Sequence, residues 1–238
     1  VPRAWLVLPT YNEAENIEPL VRAVLPQLES AGMPHTVLIV DDSSPDGTGE
    51  IADRLAVEHG PVRVLHRTHK EGLGRAYLAG FELALAEGAE LVLEMDSDFS
   101  HDPADLPRLL AGASEADLVL GSRYVDGGGV EDWGLMRRLL SRGGSWYARA
   151  ILRVPVRDLT GGFKCLRRDV LEAIDLDRIH ADGYGFQIEI TYRAIQAGFR
   201  VLELPIRFRE RRVGASKMTA LIALEAVWKV PALRLRGR

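Results

Sequence analysis

Residues 36–59 read TVLIVDDSSPDGTGEIADRLAVEH. Thr36 to Val40 is a β-branched, apolar run, the composition of a strand buried on both faces. It stops at Asp41 and Asp42, and Ser43-Ser44-Pro45-Asp46-Gly47 follows with turn chemistry. Asp46 is placed to cap the next helix. From Thr48 to His59, Ile51, Ala52, Leu55 and Ala56 keep the spacing of one helix face. A strand without a polar face, an acidic end and then a helix is the repeating half of a parallel-sheet unit.

The same unit recurs on either side. Trp5 to Leu8, Val62 to Leu65, Leu91 to Met95 and Leu118 to Leu120 read as further strands. Glu15 to Ala31 and Leu73 to Glu87 read as helices, the second ended by Gly88. Asp102-Pro103 reads as a cap with Pro at the first helical position. The fold class is therefore α/β, a mostly parallel central sheet with helices on both faces. In such sheets ligands bind beyond the carboxyl ends of the strands. The second half is less regular. Gly127 to Gly129 marks a loop, Leu135 to Leu152 an arginine-rich helix, and Gly161 to Leu166 a strand after a turn. Tyr184 to Ala197 reads as a helix, Val201 to Phe208 as a strand and Ala220 to Val230 as an amphipathic helix. With no repeat and no long linker, residues 1–238 read as one domain with a basic amphipathic C-terminal segment, 216–238.

Composition narrows the function. With 47% apolar and 27% charged residues in 238, the chain has the balance of a soluble globular protein. One cysteine, Cys165, excludes an internal disulfide and reads as a small buried side chain, and no Cys/His spacing suits zinc. A net charge of −4 carries no nucleic-acid signature. The charge is uneven, however: residues 199–238 hold ten Lys/Arg against three Asp/Glu, which suggests an anionic partner or surface near that end. No run of 18 apolar residues spans a bilayer, and no signal peptide is visible. Together with the lone cysteine, this leads us to expect a cytoplasmic protein.

Polar groups gather where the sheet rule places a ligand. The strand ends carry Pro9-Thr10-Tyr11-Asn12-Glu13, Asp41-Asp42, Asp96-Ser97-Asp98 and Gly121-Ser122-Arg123-Tyr124. Clustered carboxylates destabilise one another unless a cation or donor answers them. If the chain stays extended, Asp96 and Asp98 point the same way and address one hard cation, Mg²⁺ or Mn²⁺. The competing reading is a turn in which Asp98 or Ser100 caps a helix. Asp42 shows no local partner in the sequence and is a candidate for a base or sugar. The first strand–helix turn lacks the G-x-G-x-x-G of dinucleotide binding, and there is no P-loop. None of the six histidines pairs with a Ser or Cys nucleophile motif.

Seven segments in order resemble the family-2 glycosyltransferases of the dolichol-phosphate (polyprenol-phosphate) mannosyltransferase type. They are Leu8 to Glu13, Val40 to Thr48, Lys70 to Gly74, Met95 to Asp98, Gly121 to Tyr124, Thr160 to Phe163 and Gly214 to Lys217. The resemblance implies a GT-A (Rossmann-like) fold and inverting transfer of mannose from GDP-mannose to a polyprenyl or dolichyl monophosphate. It implies that Pro9, Tyr11, Glu13, Val40 and Asp42 hold the guanosine, and that Asp96, Ser97 and Asp98 meet the diphosphate, with both carboxylates on the metal. It further implies that Arg123, Arg211 and Lys217 contact phosphates. Some family members carry transmembrane helices after the catalytic domain; this sequence resembles the peripherally attached kind, bound at the cytoplasmic face of a membrane directly or through a membrane-anchoring partner protein, or else a catalytic portion of something longer.

Charge chemistry adds detail. Arg211 and Lys217 suit the leaving diphosphate. An acceptor phosphate, ionised with a second pKa of about 6, needs cationic guidance rather than a strong base; Arg123 and the arginine-rich helix (Arg137, Arg138, Arg142) are candidates, Arg123 and Arg142 the favoured ones, with Arg137 and Arg138 equally read as surface charges or headgroup contacts. Trp133, Leu135, Met136, Leu139, Leu140, Trp146 and Ile151 form a stripe for a polyprenyl chain or a membrane interface; for Trp146 and Ile151, core packing is the favoured reading. The rival functions are a UDP-sugar glucosyl- or aminosugar-transferase acting on the same lipid phosphate, a sugar-nucleotide pyrophosphorylase, whose glycine-rich N-terminal loop is missing, and a non-catalytic nucleotide-sugar-binding module.

Overall fold

The computed structural model describes residues 2–131, 133–179, 183–210 and 228–235. The first half alternates as expected: β1 (Ala4–Thr10), α1 (Ile17–Ser30), β2 (His35–Asp41), α2 (Thr48–Glu58), β3 (Val62–His66), α3 (Leu73–Ala86) and β4 (Leu91–Glu94). A 3-10 turn, Pro103–Asp105, follows, with the Asp102 carboxylate accepting from the Ala104 amide. It leads into α4 (Leu106–Gly112) and β5 (Leu118–Ser122). Beyond lie β6 (Gly129–Val130), α5 (Leu135–Leu152), β7 (Lys164–Arg167), α6 (Arg168–Ala173), α7 (Tyr184–Gln196), β8 (Val201–Pro205) and β9 (Arg207–Phe208). A last helix, α8, covers 228–235.

Seven strands form one sheet in the order β3-β2-β1-β4-β7-β5-β8. Every pair is parallel except those of β7, which runs antiparallel between β4 and β5. That reversal was not legible in the sequence, because Gly161 to Leu166 signals a strand without its direction. The expected strand from Val201 to Phe208 breaks after Pro205. Its last two residues pair with β6 instead, in a separate two-stranded ribbon.

Strand side chains alternate between two cores. Trp5, Val7, Leu38, Val40, Val92, Leu118 and Leu120 pack with α3, α5, α6 and α7. Leu6, Leu8, Val37, Ile39, Leu93, Val119 and Cys165 pack with α1, α2 and α4. This two-sided burial explains why the strands read as continuous apolar runs. Burial pushes the Cys165 thiol up to about 12, so it stays protonated and inert, as its sequence context suggested. α3 lies tight on the sheet because Gly80 has no side chain: a Cβ there would sit 2.5 Å from Val7 Cγ1 and 3.1 Å from Val40 Cγ2.

The strand order reverses between β1 and β4, since β2 and β3 lie on one side of β1 and β4 on the other. The crevice outside the carboxyl ends of these two strands is where such sheets bind ligands. Among the described residues, no helix is long and apolar enough to cross a membrane.

Candidate active site at the carboxyl ends of the strands

Three loops meet at the reversal. The loop after β1 is stitched to the loop after β2: Asn12 N donates to Ser44 Oγ, Glu13 N to Thr48 Oγ1 and Ala14 N to Asp46 Oδ2, all at 3.0–3.1 Å. The N-cap of α2 is Gly47, at φ +89°; Asp46, one residue before it, still braces the first turn, its Oδ1 accepting from the Thr48 amide and hydroxyl. Ser97 Oγ donates to Pro9 O at 2.9 Å, tying the end of β4 to the end of β1. The Ser97 hydroxyl therefore braces two strand ends.

Asp42 is buried, and it has partners that its sequence did not reveal. Arg67 pairs with Oδ1, while the amides of Glu71 and Gly72 donate to Oδ2 at 3.2 Å. These partners lie 25 to 30 residues away in sequence, so Asp42 has a structural task beyond any local one: it fixes the loop after β3. Lys70 from that loop places its ammonium 3.6 Å from the Tyr11 ring centroid, a cation–π contact that orients Tyr11 at the crevice. Glu13 Oε2 accepts from Asn16 Nδ2 at 2.8 Å. The Val40 side chain faces α3, against Gly80. Its expected place at the guanosine is corrected accordingly: it is part of the core under the crevice.

The acidic pair does not sit on an extended strand, because β4 ends at Glu94. Residues 97–98 lie in a turn, and Phe99 has φ +61°. The premise that strand alternation aligns Asp96 with Asp98 therefore fails; the turn brings them to the crevice. Asp98 is buried, and its Oδ1 accepts from Ser100 N at 3.0 Å and Ser100 Oγ at 2.5 Å. So the capping reading describes one of its oxygens. Asp96, with its side chain 32% exposed, accepts from Tyr77 Oη at 3.4 Å, and its Oδ2 lies 4.0 Å from His101 Nδ1. Burial first, and then the neighbouring carboxylates, hold the Tyr77 phenol far above its ordinary pKa, so it remains a donor. His101 stacks on Phe163 and meets Phe208 edge-on. Burial lowers its pKa to about 4, leaving a neutral ring beside Asp96.

Two buried ion pairs underlie the crevice. Lys164 on β7 has its ammonium 2.7 Å from Glu94 Oε1 and also donates to Gln187 Oε1 on α7. Burial lowers the Lys164 pKa against the pull of Glu94. The backbone passes closely here, as a Cβ on Gly162 would lie 3.1 Å from Gln187 Nε2 and 3.7 Å from Asp96 Oδ1. The second pair is Arg123–Asp158. Arg123 Nε and Nη2 each reach an Asp158 oxygen at 2.7 Å, and Nη2 also reaches Thr160 Oγ1 at 2.7 Å. The Arg123 side chain is 3% exposed and lies among the rings of Tyr124, Trp133 and Phe208. In this arrangement Nε and Nη2 serve Asp158 and Thr160, so the Arg123 side chain braces the loop after β5.

Arg142 stands exposed on α5, 5.9 Å from the Tyr124 ring centroid. Tyr124 Oη donates to Ser141 Oγ at 2.6 Å, and Ser145 Oγ lies 3.4 Å from Thr160 Oγ1, so the inner face of α5 borders the crevice. The core packing expected for Trp146 is corrected by its exposure; Ile151 does pack on the core. Arg211, Lys217 and the segment Gly214 to Lys217 lie outside the described residues, as does most of the helix expected over Ala220 to Val230. Sequence reasoning missed Arg67, Tyr77, Asp158, Lys164 and Gln187. Buried charge at Asp158 and Lys164, either side of Gly161-Gly162, is the signal that would have found two of them.

Comparison with known proteins agrees with this geometry. Residues 5–175 match the family described as Glycosyl transferase family 2. An undecaprenyl-phosphate mannosyltransferase of Micrococcus luteus is 48% identical over 236 residues, covering 99% of this chain and 96% of that protein. A polyprenol monophosphomannose synthase of Mycolicibacterium smegmatis is 47% identical, covering 99% and 88%. The fold is that of glucosyl-3-phosphoglycerate synthase from Mycobacterium tuberculosis, solved with Mn²⁺, uridine diphosphate and glucosyl-3-phosphoglycerate. That likeness has a TM-score of 0.72 at 20% identity over 98% of this chain and 80% of that one. An acidic turn at the strand-order reversal of a GT-A sheet, with the family match across most of the sequence, makes this chain a member of glycosyl transferase family 2.

Proposed function

We propose that this chain, acting as one domain, transfers mannose from GDP-mannose to the phosphate of a polyprenyl or dolichyl monophosphate at the cytoplasmic face of a membrane. The observation that carries the reading is near-50% identity, over essentially the full length, to two enzymes named for polyprenyl-phosphate mannose.

The donor set at the reversal suits Mg²⁺ or Mn²⁺. Asp96 and Asp98 supply two hard oxygen donors, and an ion held by them would take the rest of its shell from diphosphate and water. When bound, the ion withdraws charge from the leaving diphosphate.

Asp96 would be held for this task by the Tyr77 hydroxyl, and Asp98 by the Ser100 turn. Pro9, Tyr11, Glu13 and Asp42 would form the nucleoside wall, its shape set by Arg67 and by Lys70 over the Tyr11 ring. Arg211 and Lys217 would add positive charge at the diphosphate. Arg142 would guide the acceptor phosphate, whose oxygen attacks the anomeric carbon opposite the departing diphosphate and inverts it.

A donor panel tests the reading. Purified protein, a short polyprenyl phosphate and either metal should give mannosyl transfer from GDP-mannose, abolished by chelator. Transfer from UDP-glucose or a UDP-aminosugar but not from GDP-mannose would overturn the donor assignment. Nucleotide binding with no transfer from any donor would favour a binding module.

A further inference from the structure

His101 brings a buried, unpaired nitrogen to the acidic turn. The residue is 2% exposed, and its Nδ1 is buried without a hydrogen-bond partner among the described residues. Such a group costs stability, and a phenylalanine would fill the same aromatic slot without one. The ring stacks on Phe163 at 4.9 Å between centroids and meets Phe208 edge-on at 5.1 Å. The backbone before it is pinned, because Ser100 N donates to Asp98 Oδ1 and Arg209 N to Ser100 O. The backbone after it is held by the Asp102 cap of the 3-10 turn. Asp96 Oδ2 lies 4.0 Å from the unpaired nitrogen, about 1 Å beyond hydrogen-bond length. Of the two residues Asp96 has room to turn, its side chain being 32% exposed. Its other oxygen already accepts from Tyr77 Oη. Tyr77 belongs to the core under α3, and Phe163 to the core on the opposite face of the sheet. The Asp96 carboxylate therefore stands between two aromatic groups, one braced from each face.

We propose that His101 is a positioning residue for Asp96: the ring proton sits on Nδ1 and is donated to Oδ2 when the carboxylate turns to take a divalent cation. The inference rests on the reading of Asp96 as a cation ligand. A carboxylate has about four lone-pair sites, so Tyr77, His101 and an ion share it without competing. A donor on each oxygen fixes the carboxylate plane, and the ion meets a ligand that is already oriented. Asp98 has such a brace in Ser100; His101 supplies the one for Asp96.

The test uses the full chain, with its histidine rings labelled with nitrogen-15, and GDP and Mn²⁺ as probes. Nitrogen NMR of the metal-free parent, assigned through the ring contacts with Phe163 and Phe208, should show the His101 proton on Nδ1. Mn²⁺ titration in the presence of GDP, followed by the spin-resonance signal of the free ion, should show His101→Phe weakened about 10–100-fold. His101→Asn, whose side-chain amide reaches the place of Nδ1, should recover most of that loss. GDP binding in chelator should be the same in all three proteins. A proton on Nε2 would overturn the proposal, and this is read on the parent, so it decides even where a variant fails to fold. Parent-like Mn²⁺ affinity in His101→Phe would overturn it, as would equal losses in the Phe and Asn variants, which would leave the ring as packing alone. GDP binding that falls in step with Mn²⁺ binding would overturn it too, by showing a collapsed crevice. A parent that binds GDP without Mn²⁺ would overturn the metal reading and this role with it, whereas a parent that binds Mn²⁺ with its proton on Nε2 overturns the role alone.

Discussion

An asparagine at position 98 keeps the oxygen that accepts from Ser100 N and Oγ and removes the charge. Asp98→Asn should therefore fold as the parent does, bind Mn²⁺ weakly and lose transfer by about 100-fold or more. Thermal unfolding, Mn²⁺ titration and initial rates check the three parts. At the nucleoside wall, Arg67 pairs with Asp42 without being placed on the donor. Arg67→Ala should raise the KM for the donor about tenfold with kcat little changed, and an equal fall in kcat would count against a positioning role. Residue identities at the crevice were legible because strand ends are short and polar. What the residues do there was less so. Asp42, Ser97 and Arg123 are all held by groups from distant segments (Arg67, Pro9 and Asp158), and no local pattern announces such partners.

Among elements, α3 shows how a glycine sets a layer spacing. Gly80→Ala would drive a Cβ against Val7 Cγ1, a β-branched group fully buried in the sheet. The expected loss is about 1–3 kcal/mol, read in calorimetry as a fall of roughly 2–4 °C for each kcal/mol. The helices and strands of the first half were legible because each has an unbroken period and a turn at its end. β7 was not. Its direction follows from pairing Lys164 with Glu94 on one side and Leu120 on the other, and pairing partners are a tertiary fact. The same holds for Val201 to Phe208, where one apolar run serves two sheets on either side of Pro205.

For the whole molecule, the Arg123–Asp158 pair links the loop after β5 to the approach to β7 in full burial. Burial alone would raise the Asp158 carboxyl, but the Arg123 charge and its hydrogen bonds outweigh that and leave the pKa below the ordinary value. Such a group stabilises the fold fully above the unfolded pKa of about 3.9, and that contribution is lost as pH falls through the lower folded value. Asp158→Asn should cost about 3–5 kcal/mol near neutral pH, because it strands a buried guanidinium. It should also flatten the fall in stability below about pH 4, as acid titration followed by circular dichroism would show. The α/β class and the place of the crevice were legible at this scale, since strand–helix alternation and the sheet rule need no side-chain detail. The central claim is that a divalent cation sits on the acidic turn at the strand-order reversal. Anomalous diffraction from crystals grown with GDP and Mn²⁺ tests it most directly. A manganese peak within coordination distance of Asp96 and Asp98 and of the nucleotide diphosphate is expected. Bound nucleotide whose diphosphate lies away from the pair, with both carboxylates still turned onto Tyr77 and Ser100, would contradict it.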